Sequence, residues 1–333
     1  MSTTPPAQLT FFTELEKEPL TGLFSDQRVI DQLIALKAGV SMGILDFCDE
    51  RAQVVRDLNQ WGIPVIAWQL LPKEKGYWYH LNNAQDAVER YREFREWSLK
   101  QDLKWDAIGI DIEPDINEVQ QLLKRDFRSL NAIRKRLWDK KQFAESCAVY
   151  DSLVASMRAD GYLVHSYECF FMADERKTGS SLLNRLFGVA DMAADKRVAM
   201  LYSSYFRPVG VAMLGIYARA ADAAAIGTTG GGVELEGLEH KVPMSWEEFS
   251  HDIRIANRCC HGDVHVFSLE GCVERGYLGR LLDFDWNREA TCPRHWSVLL
   301  YLTRLLALGV LWSFAHAGYL AVIVAAFLWL LFA

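Results

Sequence analysis

Eight short runs rich in β-branched and aromatic residues recur between positions 8 and 271, and stretches of helical period separate them. The runs are QLTFF (8–12), GVSMGILDF (39–47), IPVIAWQLL (63–71), WDAIGIDIE (105–113), YLVHSYECF (162–170), RVAMLYSSY (197–205), AAAIGTTGG (223–231) and DVHVFSLEG (263–271). Between them lie patterns such as ERAQVVRDLNQWG and SWEEFSHDIRIANRC, many ending in Gly or a polar break, as helix stops do. Eight strands alternating with helices predict an α/β fold of the (β/α)8 TIM-barrel type, expected over residues 1–290. The rival is a doubly wound open sheet, which wants a glycine-rich phosphate turn after an early strand. The first two strand ends offer none. GTTGGG at 227–232 comes late and lacks the Lys-Ser/Thr of a phosphate loop, so it reads as a strand-to-helix connection.

The C-terminus differs in kind. From Ser297 to Ala333 only Arg304 and His316 readily carry charge. A bilayer span needs about 20 apolar residues, so 297–333 holds enough for one transmembrane helix, or for a hairpin of two short ones turning near His316-Ala317-Gly318. Arg304 is expected near an interface, where its head can snorkel to water. Arg280, Arg288 and Arg294 precede the tail and nothing basic follows it, and the N-terminus does not read as a signal peptide. The positive-inside rule then leaves the large domain in the cytoplasm, with a lipid bilayer as partner through residues 297–333.

Composition narrows the function classes. Half of the residues (50%) are hydrophobic and 24% charged, which suits a globular chain, and a net charge of -7 without a basic stripe argues against nucleic acid. Seven cysteines without CxxC spacing read as reduced thiols. No cofactor motif is present. His165 has no second histidine at a ligand spacing, so no metal site is expected.

Catalytic groups of such barrels sit at the C-terminal ends of strands. Those ends supply Glu14, Asp46, Asp111, Glu113, His165, Tyr167, Glu168, Tyr202, Glu234 or Glu236, and Glu270, with Trp68, Tyr77 and Trp78 around the strand-three loop. Asp106 opens strand four. Asp111 and Glu113 stand two apart on a strand and therefore point to one side, into the mouth. Like charges so close raise one pKa and keep one carboxyl protonated, as a general acid requires. Aromatic platforms beside carboxylates suit sugars, whose hydrolysis needs an acid for the leaving oxygen and a second group for the oxocarbenium-like transition state. Glu113, Asp111, Tyr202, Glu234 and Glu270 are the catalytic candidates, and Trp68, Tyr77, Trp78, His165, Tyr167 and Glu168 the substrate-binding ones. Arg176 and Arg275 are the alternative partners of Glu168 and Glu270.

DAIGIDIE (106–113) resembles the strand-four signature DxxDxDxE of the chitinase and endo-N-acetylglucosaminidase family. Asp106, Asp111 and Glu113 match its first, third and last acids, while Gly109 replaces the second. The resemblance implies that Glu113 is the acid and that Asp111 positions the substrate's acetamido group. Met200 and Tyr202 match the family's strand-six Met-x-Tyr, with Ser203 where an Asp usually follows. Glu113-Pro114 is also similar to the Asn-Glu-Pro of the large retaining glycosidase clan, with Ile112 for Asn; that likeness makes Glu234 or Glu236 the nucleophile. Both likenesses select Glu113. The expected function is a membrane-anchored, glycosidase-like protein acting on a glycan or glycolipid. The alternatives are an inactive barrel binding a carbohydrate or lipid head group, and a phosphodiesterase holding Mg²⁺ or Ca²⁺ on its acids.

Overall fold

The computed structural model describes residues 6–124, 130–232, 242–260 and 262–318. Eight parallel strands pair in chain order and close into a barrel. They are β1 Gln8–Thr13, β2 Gly39–Ile44, β3 Val65–Gln69 and β4 Ala107–Ile112. β5 Leu163–Cys169, β6 Lys196–Met200, β7 Ala223–Gly227 and β8 Asp263–Phe267 complete it, and β8 pairs back with β1, Phe12 against Phe267. The open-sheet alternative is thereby excluded.

Both faces of these strands are covered, which is why the runs read as nearly continuous apolar stretches. Outward side chains such as Phe11, Val40, Met42, Ile108, Ile110, Val164 and Val266 pack beneath the helices. Inward ones, including Phe12, Trp68, Tyr167, Val198, Ala223 and Ala225, fill the centre of the barrel. Large rings are accommodated by small neighbours. A Cβ on Gly109 would stand 2.6 Å from the Tyr167 ring, so glycine is required where that ring crosses the barrel.

Below this plug the barrel is polar. Thr10, His165, Lys196, Asp263 and His265 line a cavity of about 160 Å³ at the N-terminal end of the strands, and Lys196 Nζ donates to Asp263 at 2.6 Å. Asp106 stands at the same end, where its Oδ2 accepts the Val65 N–H at 2.7 Å and ties β3 to the start of β4.

The last described helix, Arg294–Ala315, has a mean hydropathy of 1.8 over its most apolar stretch, of which 6% is buried. By length and composition it is able to cross a membrane, and a helix so little buried is not a core helix. One narrow stripe of it, with Leu300, Arg304, Leu308 and Leu311, faces the barrel. Arg304 does not snorkel. It donates to the buried Asp174 of the helix Met172–Thr178 at 2.6 Å and lies 4.2 Å over the ring of Tyr217, at the end of the helix Gly210–Tyr217. A buried carboxylate offers the guanidinium a stronger, less screened partner than solvent does. Residues 319–333, on which the choice between one span and two depends, lie outside the described residues.

Candidate functional site

Three segments build the mouth. β4 delivers Asp111 as an inward side chain, and Glu113 follows one residue beyond the strand. The loop after β3 turns back beside it: the Tyr79 N–H donates to the Asp111 carbonyl at 2.9 Å, and the Glu113 N–H donates to the Tyr79 carbonyl at 3.2 Å. The backbone of Glu113 is therefore fixed by the aromatic loop, although the strand has ended. The third segment is the end of β1, where Glu14 accepts a hydrogen bond from the Tyr77 hydroxyl. Tyr77 holds a left-handed backbone, φ 62°, next to Gly76 at φ 98°. Such a conformation costs on the order of 1–3 kcal/mol in a residue with a side chain, and here it aims the phenol at Glu14.

Asp111 is 2% exposed and accepts the Trp68 indole N–H on Oδ2 at 3.1 Å. Among the described residues no fixed donor reaches its Oδ1, and its bond to Glu113 exists only when one of the two acids carries a proton. Burial, then the charge of Glu113, then that of Glu14, push the Asp111 carboxyl well above the usual carboxylate range. The indole N–H pulls the other way, more weakly. Asp111 is therefore the member of this carboxyl cluster that is pushed towards its protonated form, with Glu113 and Glu14 beside it.

Aromatic side chains from the segment after β6 line the mouth, with the Tyr202 ring 5.9 Å from Phe267 and the Ser204 hydroxyl donating to the Gly227 carbonyl at 2.9 Å. The Tyr202 hydroxyl is raised well above its ordinary pKa by burial and by the charges of Glu113 and Asp111. Tyr205 packs 5.8 Å from it, and burial with the Glu113 charge pushes that hydroxyl up to about 12. Both phenols thus stay protonated near the acids. Cys169, at the end of β5, is raised too, first by burial and then by the same two acids, so its thiol stays protonated.

The structure brings together Asp111, Glu113, Tyr202, Tyr77 and Trp78, and sets other expected residues elsewhere. Glu168 follows Tyr167 directly and so points outward, where it pairs with Arg176 beneath the helix layer. That pairing is the alternative to substrate binding. His165 faces inward but lies one layer below Tyr167, among the polar groups of the N-terminal cavity, with burial holding its pKa at about 3 and its ring neutral. Tyr167 is buried in the plug and bonded to Ser41 at 2.7 Å. Trp68 is 3% exposed, with Phe12, Tyr167 and Phe267 packed around it, so it offers no open face to a sugar. Its N–H, rather than its ring, serves the site. Asp46 is held by the buried Arg51, which brings its pKa down to about 2 against the opposing effect of burial.

Glu270 belongs to the first turn of the helix Leu269–Glu274, beyond β8. It sits under Gly231, a left-handed residue at φ 73°, near Thr13 and Ser268, and burial raises its pKa. Arg275 turns instead to the Thr229 carbonyl at 2.7 Å. Glu234 and Glu236 lie outside the described residues. Among the described residues no three His, Cys, Asp or Glu side chains converge as a metal ion would need. Two residues with a place in the mouth were not among the expected site residues: Glu14, noted only as a strand end, and Tyr205, three positions beyond Tyr202.

No family model matches the chain, and no curated protein matches it by sequence. Solved structures do. One is the glycoside hydrolase domain of PgaB (BpsB) from Bordetella bronchiseptica, at 8% identity and a TM-score of 0.50, covering 84% of this chain and 99% of that one. Another is a xylose isomerase domain protein from Planctomyces limnophilus, at 13% identity and a TM-score of 0.43, covering 85% of this chain and 98% of that one. What is shared is the barrel. The likeness extends to the (β/α)8 fold and does not single out the chitinase family.

Proposed function

We propose that the protein is a membrane-attached glycoside hydrolase in which Glu113 is the general acid. The observation that carries this reading is the buried Asp111 carboxyl, held beside Glu113 and Glu14 and pushed towards its protonated form, in a mouth that also holds the phenols of Tyr77, Tyr202 and Tyr205. A barrel that only binds a sugar has no need to hold two acids against each other at a cost in stability. The resemblance of the β4 strand to the chitinase signature points the same way. So does the activity for which the Bordetella domain of the same fold is named.

In the proposed reaction Glu113 passes the pair's proton to the glycosidic oxygen as the bond to the anomeric carbon breaks and its electrons go to that oxygen. At rest Asp111, whose pKa is raised, carries that proton and hands it to Glu113 as substrate binds; after the transfer both carboxylates are ionised, and Asp111 orients the substrate. Water then adds to the anomeric carbon and returns a proton to the pair, so the enzyme ends as it began. Trp78, half-buried above Tyr77, is the ring that a sugar face would meet. Membrane attachment is assigned to the helix Arg294–Ala315 and the apolar residues that follow it in sequence.

The first test is release of nitrophenol from a panel of nitrophenyl glycosides by the full chain in detergent. Turnover of at least one sugar, lowered by Asp111→Asn through the lost orientation of the substrate, supports the reading. Turnover by none would put the inactive carbohydrate-binding barrel in its place.

A further inference from the structure

A run of aromatic contacts leads from the terminal helix to the mouth. The Tyr217 ring, beneath the Arg304 guanidinium, meets Phe170 at 4.8 Å, and Phe170 meets Phe206 at 6.1 Å. Phe170 also meets Phe171 at 5.9 Å, which meets Phe187 at 4.9 Å. Phe206 and Phe187 are each 41% exposed. Next to Phe206 stands Tyr205, whose ring neighbours Tyr202 beside the acid pair. Exposed apolar surface is thus distributed from the terminal helix to the rim of the mouth.

The helix itself presents Val298, Leu302, Leu306, Val310 and Phe314 at 52 to 74% exposure on the sides turned away from the barrel. Single exposed apolar residues are ordinary, but a wide apolar face on a helix is a surface that expects cover. The charges nearby indicate what covers it. After Glu289 the chain has no acidic residue, Arg294 opens the helix with Arg288 six residues before it, and residues 319–333 continue without any charged side chain. Cations at the edge of an apolar face match anionic lipid head groups around an acyl interior.

We propose that a lipid bilayer covers this flank as far as the rim, so that Phe206 and Phe187 bed in the same lipid face as the terminal helix. The β5–β6 side of the mouth then opens at the membrane surface, and the glycan that reaches Glu113 is lipid-borne. This rests on the membrane-attached glycosidase reading and adds an orientation and a substrate class to it. The Arg304–Asp174 contact fixes the helix against the barrel, so the mouth has one set attitude towards the lipid.

The test is photo-cross-linking of the full chain in vesicles of phosphatidylcholine and phosphatidylglycerol. p-Benzoylphenylalanine replaces Leu306 on the helix, Phe206 at the rim, or Trp61, which is 37% exposed on the opposite side of the barrel. The proposal expects phospholipid adducts at positions 306 and 206 and none at 61. Adducts at 306 without any at 206 overturn the orientation while leaving membrane attachment intact. Adducts at neither overturn both. Protein–protein adducts at 206 or 306 would show a second copy on this face, and lipid adducts at 61 would show unspecific contact; either result overturns the proposal.

Discussion

Gly109 and Tyr167 occupy one space: any side chain at 109 would run into the phenol ring and hydroxyl that cross the barrel beside it. The chitinase signature places its second aspartate at this position, and here that volume belongs to an aromatic plug bonded to Ser41. The departure from the signature is therefore a change of packing in the barrel centre, one layer below Asp111 and Glu113.

Gly109→Ala is expected to lower stability by about 1–3 kcal/mol, the usual cost of overpacking. In a Tyr167→Leu background the same substitution should cost much less, because the two sites share one volume. Chemical denaturation of the four proteins in detergent measures the coupling, and equal costs in both backgrounds would contradict it.

Asp111 makes stability depend on pH with a definite sign. Burial and the charges of Glu113 and Glu14 raise its folded pKa above the ordinary value of about 4. Between those two values the native protein holds a proton that the unfolded chain has released. The contribution of this group is therefore fully present below the unfolded value and is lost as pH rises through the folded one. Asp111→Asn removes that loss. The variant should be more stable than the parent near neutral pH, and the difference should shrink towards about pH 4. A variant that falls behind the parent as pH rises would show that the carboxylate is stabilised, rather than strained, in the mouth.

Arg304 carries a structural prediction. Asp174 is 2% exposed, and Arg304 is its ion-pair partner from the terminal helix, with the Tyr217 hydroxyl donating at 3.1 Å. Arg304→Ala strands a buried carboxylate and should cost about 3–5 kcal/mol, whereas replacing both members, Arg304→Met with Asp174→Asn, should recover much of the loss. Thermal unfolding in detergent reads both. It also follows that removing residues 297–333 uncovers Asp174, so a membrane-release assay by truncation is cleaner when Asp174→Asn is included. With that change, release of the truncated protein from carbonate-washed membranes is the expected outcome, and full-length protein that is soluble without detergent would contradict membrane attachment.

The strand positions were legible in the sequence because each run is short, β-rich and bounded by helical patterns, and because a barrel with helices outside buries both faces of every strand. Part of the site followed from the two-residue period alone, which puts Asp111 and Glu113 on one side. The same period places Glu168 opposite Tyr167, and counting two residues back along the strand puts His165 a layer deeper. A substrate-binding role for those two residues runs against that count, which the sequence alone supplies. Other features were not readable. That Trp68 is enclosed depends on Phe12, Tyr167 and Phe267, which come from three other strands. The bond from Tyr77 to Glu14 joins residues 63 apart, and nothing in a single local pattern announces it. Arg304 was legible as an unusual charge in an apolar stretch, but its partner Asp174 lies 130 positions earlier.

The central claim is that Glu113 delivers a proton to a leaving oxygen. The measurement is the turnover number of Glu113→Gln relative to the parent on two substrates with the same sugar, one with an alkyl and one with a nitrophenyl leaving group. Gln keeps the size of the side chain and its capacity for hydrogen bonds but has no proton to give. General acid catalysis contributes about 10²–10⁴-fold, so the loss on the alkyl glycoside should be of that order, with substrate binding retained. Nitrophenolate departs without much help, so the loss on the second substrate should be far smaller. Equal losses on the two substrates would contradict the account and would assign Glu113 another role.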